Sequence, residues 1–221
     1  ETSLALQPEQ PDGENGWYKT APTFDVVGTD NGSIYHREYS VDGGQSWQQP
    51  GYSDQYDTTC GQRCFNGVAL PVQGDLTVLF RVFDTSLNVS NTGSLNVKID
   101  RSPPTIALEG LTDGKIGDSG TIKIALSDIA PGSGGPSIVS AKIDGTAFEG
   151  DTVDVSKLSL GTHTITVEAR DIAGNRTTKT ETFEVTTSIG DVSALIDRFA
   201  SDGRILADAA AALRTPATRA G

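Results

Sequence analysis

Cys60 and Cys64 are the only cysteines of the chain, set in Cys60-Gly61-Gln62-Arg63-Cys64. A metal site would need more ligands at paired spacing, and neither a second cysteine pair nor a histidine flanks this one. Redox pairs place two residues between their thiols, whereas this pair encloses three. The spacing therefore points to a disulfide that closes a surface loop, which implies a compartment outside the cytosol. Around it run Tyr52, Tyr56 and Phe65 among Ser53, Asp54, Gln55, Asp57, Gln62, Arg63 and Asn66. Aromatic faces can stack on sugar rings while polar groups bind hydroxyls, so Tyr52, Tyr56, Arg63 and Phe65 are the candidate carbohydrate-binding residues. A disulfide would hold them in shape beforehand and lower the ordering cost of binding. The alternative is a loop that folds back and packs its rings on the body of the protein.

Other chemistry is thinner. His36 and His163 each lie in a strand pattern with no Ser or Cys nucleophile motif nearby, so both read as half-exposed strand residues. Acidic turns offer hard oxygen ligands, which makes Asp30, Asp84 and Asp171 the candidate calcium ligands. None has the spacing of an EF-hand loop, and Asp in a β-turn is also favoured for its backbone hydrogen bonds. No other cofactor is indicated. Trp17 and Trp47 read as core or hairpin packing rather than as binding platforms.

The elements that must carry these residues are strands. In 221 residues there are 25 Gly, 10 Pro and 6% aromatics, a composition of many turns rather than of helical bundles. Thr164–Arg170, Thr121–Leu126 and Leu76–Phe83 alternate apolar with polar residues, as half-buried strands do. Asp42-Gly43-Gly44 and Asp144-Gly145 are hairpin signals. A net charge of −12 leaves no basic stripe for nucleic acid or an anionic membrane. No run approaches the roughly 18 apolar residues of a membrane helix. A chain that begins at Glu1 and contains no Met reads as a piece of a larger protein.

Punctuation divides the chain. Asp100-Arg101-Ser102-Pro103-Pro104 ends one segment with two prolines, and near Ser188 the apolar period changes from two to between three and four. The two segments so defined share a plan. Tyr39-Ser40-Val41-Asp42-Gly43 matches Ala141-Lys142-Ile143-Asp144-Gly145, and Arg81–Asn88 matches Glu168–Asn175. The markers Asp42 and Asp84 are 42 positions apart and Asp144 and Asp171 are 27 apart, so the first copy carries about 15 extra residues, around 50–67.

Asn15-Gly16-Trp17-Tyr18, Asp30-Asn31-Gly32-Ser33, Tyr39-Ser40-Val41-Asp42-Gly43-Gly44 and Trp47 resemble the bacterial Ig-like repeat described from an outer-membrane protein. Residues 11–100 carry that resemblance and depart from it at the cysteine-bearing insertion. Residues 101–187 resemble bacterial Ig-like domains more loosely, through Asp171-Ile172-Ala173-Gly174-Asn175. In the tail, Val192, Leu195, Ile196 and Phe199 form one face of a short helix. Asp191–Gly203 resembles the start of a FIMAH-type helical module. Such modules and repeats occur together in secreted multidomain carbohydrate-active enzymes.

The expected fold is all-β: a linker over 1–10, an Ig-like β-sandwich over 11–100 bearing the insertion 50–67, a second over 101–187, and a short helical segment with a flexible tail over 188–221. The resemblance implies a secreted, non-catalytic accessory region of a polysaccharide-degrading enzyme, which binds carbohydrate or spaces the catalytic domain from its substrate. Its partner would be polysaccharide, with no nucleic acid and no membrane, and the chain would be a monomer in tandem with other domains. The alternative is a stalk or adhesive surface repeat with a protein partner.

Overall fold

Alternating apolar and polar residues form strands along most of the chain. The structure is a computed structural model and describes residues 2–28, 34–50, 67–206, 208–209 and 211–213. It divides into two compact units. The first comprises Glu1–Thr105, Ser127–Ser137 and Ala169–Thr177, and the second Ile106–Leu126, Ile138–Glu168 and Thr178–Gly221.

The first unit contains β1 (Thr2–Gln7), β2 (Trp17–Tyr18), β3 (Thr23–Gly28), β4 (Ile34–Ser40), β5 (Val68–Ala69), β6 (Gly74–Asp84) and β7 (Gly93–Ile99). They form two sheets, ordered β1-β3-β5 and β2-β7-β6-β4. Every second side chain of β3 and β6 points inward, so Phe24, Val26, Val78, Phe80 and Val82 meet Tyr18, Tyr39, Val97 and Ile99 in one core. Phe24 meets Tyr39 edge to face at 4.7 Å. Removing a ring buried like that of Phe24 costs about 3–5 kcal/mol.

Residues 2–7, assigned to a linker from sequence, are a strand. β1 pairs with β3 from Thr2 opposite Gly28 to Gln7 opposite Thr23. Leu4 and Leu6 fall on alternate positions and pack against the core. The six-residue alternation Thr-Ser-Leu-Ala-Leu-Gln was too short and too weakly apolar to separate from a linker by pattern.

Further along the chain come β8 (Thr105–Glu109), β9 (Lys115–Gly117), β10 (Thr121–Ser127), β11 (Ser137–Ile143), β12 (Thr146–Ala147), β13 (Thr152–Asp154), β14 (Gly161–Arg170) and β15 (Arg176–Thr186). They too form two sheets, β13-β10-β8 and β12-β11-β14-β15-β9. Ile122, Ile124, Val155, Ile165, Val167, Phe183 and Val185 are buried. Asp144 and Gly145 turn β11 into β12 with φ of 49° and 80°, the left-handed pair that a tight hairpin demands.

Both sandwiches follow one plan. A three-stranded sheet faces a second sheet whose last long strand pairs in parallel with a short early one: β2 with β7, and β9 with β15. The chain is thus all-β with two Ig-like sandwiches in sequence. A helix, α1 (Ile189–Ser201), follows. Its Ile196 is buried, and its Arg198 donates to the backbone carbonyl of Asp118 at 3.3 Å.

Candidate functional site

The outer face of β4 and β6 collects rings and charges because their inward alternates are core residues. Antiparallel pairing sets Glu38 opposite Arg81 and His36 opposite Phe83. Arg81 donates from Nε to Glu38 Oε2 at 2.8 Å, and its Nη2 lies 2.7 Å from the same oxygen. Its guanidinium sits 3.9 Å from the Trp47 ring centre and 5.3 Å from that of Phe83. His36 stacks on Phe83 at 4.2 Å and 21°. Tyr35 meets His36 edge to face at 5.3 Å and is 62% exposed. The pairing shifts between Ile34 and His36, and this irregularity frees Tyr35 from the inward alternation. The row Trp47, Arg81, Phe83, His36 and Tyr35 is therefore an ordered aromatic and cationic stack with one freely presented ring.

Sequence reasoning found Trp47 but assigned it to packing, and it did not find Arg81, Phe83 or Tyr35. Trp47 does pack, on a charge rather than in the core. Trp17 is buried, with Lys98 over its ring at 5.9 Å. The signal for the row was available in Arg81 and Phe83, which hold the polar phase of an otherwise apolar strand.

Turn chemistry holds Trp47 in place. Ser40, Asp42 and Ser46 form a small net, in which Ser46 Oγ and Ser40 Oγ both donate to the Asp42 carboxylate. The Ser46 hydroxyl, then the Ser46 N–H and the Ser40 hydroxyl, hold the Asp42 carboxyl far below its ordinary value. Gln48 then exchanges two backbone hydrogen bonds of 2.8 Å with Tyr39. This brings the near end of the insertion to the edge of β4. Its far end enters β5, which pairs with β3 on the other sheet. Tyr52, Tyr56, Cys60, Arg63, Cys64 and Phe65 lie outside the described residues, as does Asp30.

Asp84 and Asp171 are placed alike. Asp84 accepts from the N–H groups of Ser86 and Asn88 and from Asn88 Nδ2, at 2.7–2.8 Å. The Asn88 side chain foremost keeps its carboxyl below the usual range. Asp171 accepts from Asn175 N–H at 2.8 Å and Asn175 Nδ2 at 3.0 Å. These bonds within the loop explain the Asp-x-x-x-Asn spacing without a ligand.

Asp171 has further company. Within the first unit its carboxylate converges with those of Asp100 and Asp128, one oxygen of each lying within 4.8 Å of the others. Asp100 is fully buried. Its carboxylate accepts Ser102 and Ser133 N–H groups at 3.0 and 2.6 Å, while Asp128 accepts from Ile129 and Gly134. Burial first, and the charges of Asp100 and Asp171 after it, raise the Asp128 carboxyl. Three hard oxygen donors of this kind could hold a calcium-like cation. Asp100 and Asp128 had no motif to mark them, because their nearness to Asp171 is tertiary.

In the second unit, Ser159, His163 and Asp144 supply the residue types of a nucleophilic triad. The geometry denies that chemistry. His163 Nδ1 lies 2.6 Å from Asp144 Oδ2, but its Nε2 lies 2.8 Å from the Ser159 carbonyl and 3.4 Å from the hydroxyl. A nitrogen that donates to a carbonyl cannot take a proton from a serine. The ring is also buried, at 7% exposed, and not half-exposed as its strand pattern suggested. Two acceptors compensate for its burial.

No family model and no curated protein matches the chain. Solved structures resemble it at low identity. The fibronectin(III)-like modules of Clostridium thermocellum CbhA are 16% identical, covering 84% of this chain and 95% of theirs with a TM-score of 0.32. The D00-D0 domain of intimin is 13% identical, over 83% of this chain and 99% of that one, at 0.39. The SGBP-B protein of a Bacteroides ovatus mixed-linkage glucan utilization locus, solved in complex with a mixed-linkage heptasaccharide, is 15% identical over 85% of this chain and 48% of that one, at 0.25. Among the described residues no helix is long and apolar enough to cross a membrane.

Proposed function

We propose that this chain is a non-catalytic accessory region of a secreted bacterial polysaccharide-degrading enzyme, binding carbohydrate through one edge of its first sandwich. The observation that carries this reading is the Tyr35–His36–Phe83–Arg81–Trp47 row on the outer face of β4 and β6. Sugars are recognised by aromatic faces beside fixed planar hydrogen-bonding groups, and this row supplies both. Tyr35 is the ring free to stack, while Arg81 and Glu38 are already ordered by each other, so little freedom is lost on binding. Gln48, bound to Tyr39, holds the chain at this same edge just before the insertion 50–67. Tyr52, Tyr56, Arg63 and Phe65 extend the surface in this reading, braced by a Cys60–Cys64 disulfide formed outside the cytosol.

Affinity electrophoresis of the full chain through gels loaded with a panel of neutral and acidic polysaccharides tests the reading. Retardation on at least one glycan is expected. Unchanged mobility on all of them favours the second reading, a stalk or adhesive repeat with a protein partner. Two sandwiches in sequence would serve that role equally well.

A further inference from the structure

We propose that His163 is a proton-operated clasp that ties the Asp144–Gly145 turn to the segment around Ser159 and makes the second unit tightest in mild acid. Both ring nitrogens face acceptors: Asp144 Oδ2 at 2.6 Å from Nδ1, and the Ser159 carbonyl at 2.8 Å from Nε2. A neutral imidazole carries one N–H and can satisfy one of them, whereas the imidazolium satisfies both. The ring is 7% exposed, so its own nitrogens gain little from water, whereas the Asp144 side chain is half-exposed.

The two acceptors belong to different elements. Asp144 follows the last residue of β11, holds φ of 49°, and is itself fixed by accepting Thr164 N–H at 2.8 Å. Ser159 lies just after the helical turn Val155–Lys157 and before β14. From β15 the ring meets the uncharged Phe183 side chain, centres 5.8 Å apart. One proton thus decides whether a hairpin turn and a strand entry are joined through the same side chain.

The energetics agree. The Asp144 carboxylate foremost, and the Ser159 carbonyl as well, raise the imidazole above its ordinary value against the opposing effect of burial. The same contact lowers the Asp144 carboxyl. A histidine raised in the fold contributes stability that is complete below its unfolded value, about 6.5, and is lost as pH rises through the folded value. The clasp therefore opens as pH rises above the ordinary imidazole value of 6.5.

The test uses the full chain. Imidazole NMR signals of His163 are followed against pH, together with hydrogen exchange at the Thr164 amide. The expected result is a titration midpoint above 6.5 and Thr164 protection that falls across the same interval. His163→Gln should lower Tm by roughly 2–4 °C in mild acid, with the gap narrowing at alkaline pH. Asp144→Asn, which keeps the turn residue small and polar, should bring the imidazole midpoint down. A wild-type midpoint at or below 6.5, or protection of Thr164 that ignores the titration, overturns the clasp even where neither variant folds.

Discussion

Arg81 lies with its guanidinium carbon 3.9 Å from the ring centre of Trp47, and the same guanidinium binds Glu38. A chain-distant turn is thereby fastened to the middle of β6. A cation over an indole contributes about 0.5–2 kcal/mol, the upper figure where water is excluded. Arg81→Ala should lower stability by about 1–3 kcal/mol, because it also leaves the half-buried Glu38 carboxylate with only His36 Nε2, 3.3 Å from Oε1, among its two side-chain partners. Arg81→Lys should recover only part of that, since an ammonium has neither the flat face nor the fork. Urea unfolding at constant m checks both.

The amino-terminal strand gives a second expectation. Leu6 stands opposite Phe24 in the β1–β3 pairing and packs against the core from a half-buried position. Leu6→Ala should cost about 1–2 kcal/mol, below the range for fully buried leucines. Deleting residues 1–7 should shift the urea midpoint further in the same direction. An unchanged midpoint for the deletion would mean that the strand contributes nothing.

Asp42 and Asp84 contribute to the acid limb of the stability curve, together with other lowered carboxyls such as Asp144. Both carboxyls are held below their ordinary value of 3.8 by hydrogen bonds, chiefly from Ser46 and Asn88 respectively. A lowered acid contributes stability above its unfolded value and loses it as pH falls through the folded one. Tm should therefore fall below about pH 4. Asp42→Asn should flatten that drop while lowering Tm at neutral pH.

Asp128 runs the other way. Its carboxyl is raised by burial and by its two acidic neighbours, so its charged form is disfavoured in the fold. Stability from this group falls as pH rises from its unfolded value, 3.8, through the folded one. In chelator-containing buffer Asp128→Asn should melt higher than the wild type at pH 7, with the gap closing at pH 3.5. Calcium added at neutral pH should reverse that gap if Asp171, Asp100 and Asp128 share a cation, and a gap indifferent to calcium removes Asp171 as a ligand.

Much of the fold was legible because strand alternation is local. The runs Leu76–Phe83 and Thr164–Arg170 announce β6 and β14, and Asp144-Gly145 announces its hairpin. The strand at residues 2–7 was not legible: its two leucines count for little until β3 supplies a core beneath them. The surface row was hidden for a related reason. Arg81 and Phe83 occupy the outward phase of β6, and nothing local says that Trp47 and His36 will cover them. The buried state of His163 was likewise tertiary, since its partners come from a turn 19 residues away and from Ser159.

Glycan binding at the β4 edge is tested most directly by measuring dissociation constants for one retarding polysaccharide with the wild type, Tyr35→Ala, Tyr52→Ala and Tyr56→Ala. Loss of a stacked ring is expected to weaken binding by about 1–3 kcal/mol, taking the scale of base–aromatic stacking, with Tm nearly unchanged. Variants that bind like the wild type and melt early would contradict the account, because the rings would then be packing residues.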